Sequence, residues 1–162
     1  MKRLAAIAIA CSCLLSAACA EQPQKAEFAR RSFPQFQDEV YPVLLRDCAF
    51  PACHGDSKRF FRIWGPGRVR LPGAMSTPEA FDLPTIAELS ATQSFALSMI
   101  DTRAPASSPL LRKPLAVEAG GAGHFGVDRY GRDIYRTKQD SGYLVLRSWV
   151  LAAQPAAPAK TP

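Results

Sequence analysis

Histidine and methionine are scarce in this chain of 162 residues, which holds two histidines, His54 and His124, and three methionines. Two histidines leave little material for a Ser-His-Asp arrangement, and Cys53 and His54 are neighbours in sequence, not a nucleophile and base facing each other across a cleft. Long apolar runs are missing as well. The run from Leu4 to Leu15 is 12 residues, short of the roughly 20 that a membrane-spanning helix needs. There is no dense Lys/Arg run and no interleaving of basic with aromatic residues, so nucleic acid is not an expected partner. No internal repeat is found, and no segment alternates apolar with polar residues over a strand's length.

What the chain has first is an export signal. Met1-Lys2-Arg3 precedes the apolar run, and the small residues Ser16-Ala17-Ala18-Cys19-Ala20 follow it, the order of a secretory leader. Two cleavages fit. Ala18-Cys19-Ala20 is an Ala-x-Ala site that would release a soluble protein starting at Glu21. Ser16-Ala17-Ala18-Cys19 approximates a lipobox, with Ser16 where leucine is usual, and would leave Cys19 lipidated as the first residue. The lipoprotein reading is favoured because residues 21–32 begin as a polar tether. Removal of Lys2 and Arg3 takes the 20 basic residues to 18 against 14 acidic ones, about +4. About 140 residues remain, enough for one domain over 33–153, followed by a Pro/Ala-rich tail at 154–162 that is expected to be disordered.

Of the five cysteines, Cys11 and Cys13 leave with the leader and Cys19 is lipidated or removed. Only Cys48 and Cys53 stay as thiols of the folded domain. In an oxidising compartment such a pair has a plain reading as a small-loop disulfide. The full stretch, however, is Cys48-Ala49-Phe50-Pro51-Ala52-Cys53-His54-Gly55, and a structural disulfide requires neither His54 nor Gly55. Two cysteines followed at once by a histidine suit covalent attachment of one haem c: the thiols add to its vinyl groups, and the histidine is carried under the iron as an axial ligand. Two residues between the thiols are usual, and here there are four.

The apolar spacing elsewhere is helical. Phe36, Val40, Val43, Leu44 and Asp47 share one face of a helix that runs into Cys48, and Pro42 is expected to kink it. A short turn can start at Thr77 with Pro78 at its first position. Thr85 and Glu88 form a capping-box pattern ahead of a stripe of Ile86, Leu89, Leu97 and Ile100 that ends before Pro105. A last helix starting near Asp140 or Ser141 should bury Tyr143, Leu146, Trp149 and Val150 and stop before Pro155. The expected fold is therefore mainly α, three to four helices with long loops. The loops Gly55 to Gly73 and Arg112 to Gln139 are long for a compact domain, and a haem plate would give them something to pack on.

These blocks, in this order, resemble a class I cytochrome c-like domain, and more closely the planctomycete-type cytochrome c domains, including their Cys-x4-Cys-His-Gly subgroup. The resemblance rests on Val40-Tyr41-Pro42-Val43-Leu44-Leu45-Arg46-Asp47 before the turn, Ser108-Pro109-Leu110-Leu111-Arg112-Lys113-Pro114, the glycine-rich Gly120-Gly121-Ala122-Gly123-His124, and the final Tyr143, Leu146 and Trp149. It spans Phe36 to Leu151. It implies thioether attachment at Cys48 and Cys53 and His54 as proximal ligand. Class I cytochromes usually supply a methionine as sixth ligand, but Leu110 to Val150 contains none. His124 is the expected sixth ligand; Met99, Met75 and an open site are the alternatives. Two strong ligands would close the iron and favour electron transfer, whereas an open site would permit a small peroxidase or gas-binding role.

Lys58, Arg59, Arg62, Arg68 and Arg70, with Trp64 among them, follow the turn. One or two of the arginines, with Arg112 and Lys113 as further candidates, could hold the haem carboxylates, because guanidinium binds carboxylate bidentately. A zinc site from Cys48, Cys53, His54 and His124 is the weaker metal reading, since the paired spacing of such sites is missing in its second half. The leading expectation is an exported monohaem c-type cytochrome that passes electrons between redox partner proteins of the cell envelope, in the periplasm or at the outer membrane surface. Its rival is a non-haem binding or assembly module with a Cys48-Cys53 disulfide on the same fold.

Overall fold

Phe36, Val40, Val43 and Leu44 are all buried, so the helical face read from their spacing is the face that meets the core. The protein is described here from a computed structural model covering residues 25–72, 83–124 and 131–153. Its helices are α1 (Tyr41–Asp47), α2 (Ile86–Ser98), α3 (Pro109–Arg112) and α4 (Ser141–Leu151). Residues 25–35 are also helical and lead through a π-helical turn, Phe36–Val40, straight into α1. No strand occurs among the described residues, which hold a single parallel bridge between Leu115 and Tyr135. The protein is thus mainly helical.

Pro42 acts differently from a simple kink. It cannot donate to the carbonyl of residue 38, and its ring crowds that carbonyl. The chain widens just before it instead: the Tyr41 N–H reaches back to the Phe36 carbonyl, a five-residue return of the kind found in single π-turns inside α-helices. Pro42 itself sits at the start of α1, directly after this widened turn.

The tether expected at 21–32 needs correction over its described part. Residues 25–32 are helical, Phe28 is buried, and its ring lies 5.5 Å from Trp149. Phe36 meets the same indole at 5.3 Å, so Trp149 of α4 is held between two phenylalanines one above the other on the N-terminal helical stretch. The Gln93 amide of α2 donates to the Ala29 carbonyl at 2.9 Å. A polar-looking segment is drawn into the domain because one aromatic side chain finds an apolar partner 121 residues later, which local composition does not reveal.

The Thr85–Glu88 capping box is formed in both directions. Leu89, Leu97 and Ile100 are buried as expected, but Ile86 is 64% exposed: it lies in the first turn of α2, beyond the edge of the packed face. α4 buries Tyr143, Leu146, Trp149 and Val150. The turn expected at Thr77 and Pro78, and the candidate ligand Met75, lie outside the described residues, as do the leader with Cys19 and the tail. Among the described residues, no helix is long and apolar enough to cross a membrane.

Candidate functional site

The turn that carries the cysteines begins where α1 ends. The N–H groups of Cys48 and Ala49 both donate to the Leu44 carbonyl at 3.0 Å, which closes the helix. Phe50, Pro51 and Ala52 then bulge into solvent, while the Phe50 carbonyl accepts from Cys53 at 2.8 Å and from Gly55 at 3.1 Å. The His54 N–H returns to the Cys48 carbonyl at 3.1 Å. Four residues between the thiols therefore lengthen the bulge without letting its two ends drift apart. Gly55 is required by sterics: a Cβ there would sit 2.3 Å from the Ala49 carbonyl oxygen and 2.8 Å from the Arg68 stem.

His54 is half-buried, and its Nδ1 lies 2.8 Å from the Phe61 carbonyl oxygen. A carbonyl only accepts, so Nδ1 carries the proton and Nε2 keeps a lone pair, the arrangement in which a metal-binding imidazole is usually oriented. Burial pushes its pKa down, and the neighbouring His124 and Arg59 act in the same direction against the Phe61 bond. The Phe61 ring meets the imidazole edge-on at 4.8 Å. The neutral imidazole is the form this environment favours.

His124 arrives from the glycine-rich turn. The Gly121 N–H donates to the Ala116 carbonyl at 2.9 Å and the Ala122 N–H to the Arg112 carbonyl at 2.8 Å. A Cβ on Gly121 would lie 1.8 Å from the Leu115 carbonyl oxygen, so the chain can fold back this tightly only as glycine. The return sets the His124 ring 5.8 Å from that of His54, the planes inclined at 45°. Two imidazoles that bind one metal atom through bonds of about 2.0 Å have ring centres no more than about 6 Å apart. The two histidines of the chain, 70 positions apart, are brought to that spacing.

Cys48 and Cys53 are free thiols, both partly exposed as residues. The Cys48 sulfur is closely surrounded, and burial, with the charges of Asp47 and Cys53, pushes its pKa up to about 12. It is a protonated thiol at neutral pH, unlike the low-pKa thiolates of redox catalysis. Among the described residues no three His, Cys, Asp or Glu side chains gather as a metal-binding group. The four-ligand zinc arrangement is not assembled by this fold.

The basic residues divide. Arg70 is not available as a carboxylate clamp: it grips Glu88 bidentately, at 2.7 and 3.0 Å, with both side chains almost fully buried. The same carboxylate accepts from the Thr85 and Leu71 N–H groups, so the capping glutamate also fastens the loop after the Cys48–His54 turn. Tyr41 donates to the Trp64 carbonyl at 2.8 Å, and Ile63 and Trp64 are buried. This long loop is thus ordered by its own side chains. Arg68 differs: its stem covers Gly55, its guanidinium stands 5.8 Å over the Phe50 ring, and its Nε–H is buried without a hydrogen-bond partner. Met99 packs against the core, where an unbranched thioether commonly fills space.

A tie behind the turn was not legible in the sequence. Tyr135 donates to Asp47 at 2.9 Å, and Gly142 gives them room, since a Cβ there would meet the Asp47 Oδ2 at 2.5 Å and the Tyr135 hydroxyl at 2.7 Å. One signal was visible: an acid on the otherwise apolar face of the first helix calls for a polar partner.

No family model, curated protein or solved structure matches this chain.

Proposed function

We propose that this chain is an exported monohaem c-type cytochrome of class I type, anchored through a lipid on Cys19, that carries electrons among proteins of the cell envelope. The observation that carries this reading is the meeting of His54 and His124 at 5.8 Å, directly beside the Cys48–Cys53 turn. Cys48 and Cys53 would hold the haem covalently, and His54 and His124 would ligate its iron. When bound, the haem supplies a one-electron iron couple. The chain's own part is to hold the two imidazoles. The Phe61 carbonyl fixes the tautomer and direction of His54, and the glycine turn fixes His124. Arg68, with its unpaired buried N–H beside Gly55, is the residue assigned to a haem carboxylate.

Two imidazole ligands leave no coordination position for a substrate, and they lower the potential relative to a methionine-ligated iron. The first feature favours transfer of electrons over chemistry at the metal. The test is expression with a cytochrome maturation system, followed by a haem-stained gel and a pyridine haemochrome spectrum. A haem that stays with the denatured chain supports the reading. A colourless protein whose Cys48 and Cys53 are both oxidised would replace it with the disulfide-bearing binding module.

A further inference from the structure

Phe60 is 72% exposed, and it stands out in a segment that is otherwise basic. Between Gly55 and Leu71 the chain has one acid, Asp56, against five Lys and Arg residues; of these, Arg70 is neutralised by Glu88. The segment holds its shape. Asp56 accepts from the Lys58 N–H at 2.9 Å, the Arg59 guanidinium donates to the Ala52 carbonyl at 3.1 Å, and the Arg62 Nε–H donates to the Arg59 carbonyl at 2.6 Å. The Phe60 ring is supported edge-on by Phe95 of α2 at 6.0 Å. An aromatic knob is thus presented within a fixed cationic rim. The residue after it, Phe61, supplies the carbonyl that holds His54.

From this arrangement we infer that the Lys58–Arg62 surface is the docking surface for an acidic redox partner protein, whose apolar hollow receives Phe60 and whose carboxylates meet Lys58, Arg59 and Arg62. The inference rests on the proposed haem reading for its purpose, but not for its geometry. Charge complementarity selects an acidic occupant and speeds its approach; exposed aromatic and arginine side chains are the types that dominate binding energy when covered. A partner seated here is separated from His54 by one peptide unit and one hydrogen bond. With haem bound, this chain would give or take one electron, and the partner's redox group would be reduced or oxidised by the same electron.

The test uses the full chain as it matures, with its haem content measured first. Isotope-labelled protein is titrated with a glutamate-rich peptide bearing one tryptophan, and separately with phosphatidylglycerol vesicles. Amide shifts should concentrate at residues 56–63, weaken about five-fold or more in Phe60→Ser, and fade at about 0.5 M salt, where the screening length falls to a few ångströms. Shifts centred elsewhere, or equal binding by Phe60→Ser, overturn the inference; tighter binding to the vesicles than to the peptide overturns it in favour of a membrane surface. In haem-loaded protein, Lys58→Glu should slow oxidation by ferricyanide, an anion, and speed oxidation by tris(phenanthroline)cobalt(III), a cation; unchanged rates with both reagents also overturn it. Peptide binding at Phe60 by a haem-free chain would preserve the surface and remove the cytochrome reading, so the two fail separately.

Discussion

The Tyr135 hydroxyl donates to the Asp47 carboxylate at 2.9 Å across 88 positions of sequence. Asp47 is the last residue of α1, directly before Cys48, and Tyr135 is bridged to Leu115 in the segment that leads to the glycine turn and His124. The bond therefore ties the two halves of the candidate site together behind the imidazoles. Tyr135 is buried, so its loss is not made good by water. Tyr135→Phe is expected to lower stability by about 1.5–3 kcal/mol, as for a hydrogen bond to a charged group. A urea midpoint equal to that of the parent protein would show that the tie contributes nothing.

His124→Ala tests the proposed second iron ligand. In haem-loaded protein the ferric spectrum is expected to change from low-spin to high-spin, because one strong-field imidazole is removed while His54 stays oriented by Phe61. A spectrum that remains low-spin excludes His124 and returns attention to Met99 and Met75.

Gly55→Ala places a methyl group 2.3 Å from the Ala49 carbonyl oxygen. The turn must open to admit it, at about 1–3 kcal/mol for an overpacked site. Covalent haem yield should fall with it, measured as the haem-to-protein ratio. Retention of full yield and parent stability would mean that the turn tolerates the added carbon.

Glu88 gives the protein an acid-sensitive clamp. Burial alone would raise its carboxyl, but the Arg70 ion pair and the Thr85 and Leu71 N–H groups hold it below the ordinary 4.5. Its stabilising contribution is complete above that ordinary value and is lost as pH falls through the lower folded value. Glu88→Gln should cost about 3–5 kcal/mol at neutral pH, because it leaves Arg70 buried without its counter-charge. The variant should also lose less further stability than the parent on acidification below pH 4.5. Parallel acid-denaturation curves for the two proteins would contradict this.

Cys48, with its thiol pushed up to about 12, is expected to resist alkylation in the haem-free chain. At about pH 8 only about one thiol in ten thousand is ionised, and the thiolate is the reactive form. Peptide mapping after brief iodoacetamide treatment should find Cys48 largely unmodified; rapid labelling would show an ionised sulfur.

Much of the fold was legible from local pattern. The apolar face from Phe36 to Leu44, the Thr85–Glu88 box and the buried side of α4 are written in residue spacing, because a helix places residues three and four apart on one face. Pro42 could be read as a disturbance, but not its form: the neighbouring turns chose a π-widening over a kink. The helical character of residues 25–32 was not legible, because its cause is Trp149 at the far end of the chain.

By itself the sequence determined which groups are available: two thiols, two histidines, a glycine after the first histidine and glycines before the second. It also determined the helical periodicity that delivers the first set to the end of α1. Only the tertiary structure decided that His54 and His124 stand 5.8 Å apart, that Arg70 is taken by Glu88 while the Arg68 Nε–H stays unpaired, and that Asp47 is answered by Tyr135. Each of these joins residues 18 to 88 positions apart or depends on what surrounds a side chain. Such contacts are selected by packing and by the need to pair buried polar groups, which act through space and leave no period in the chain.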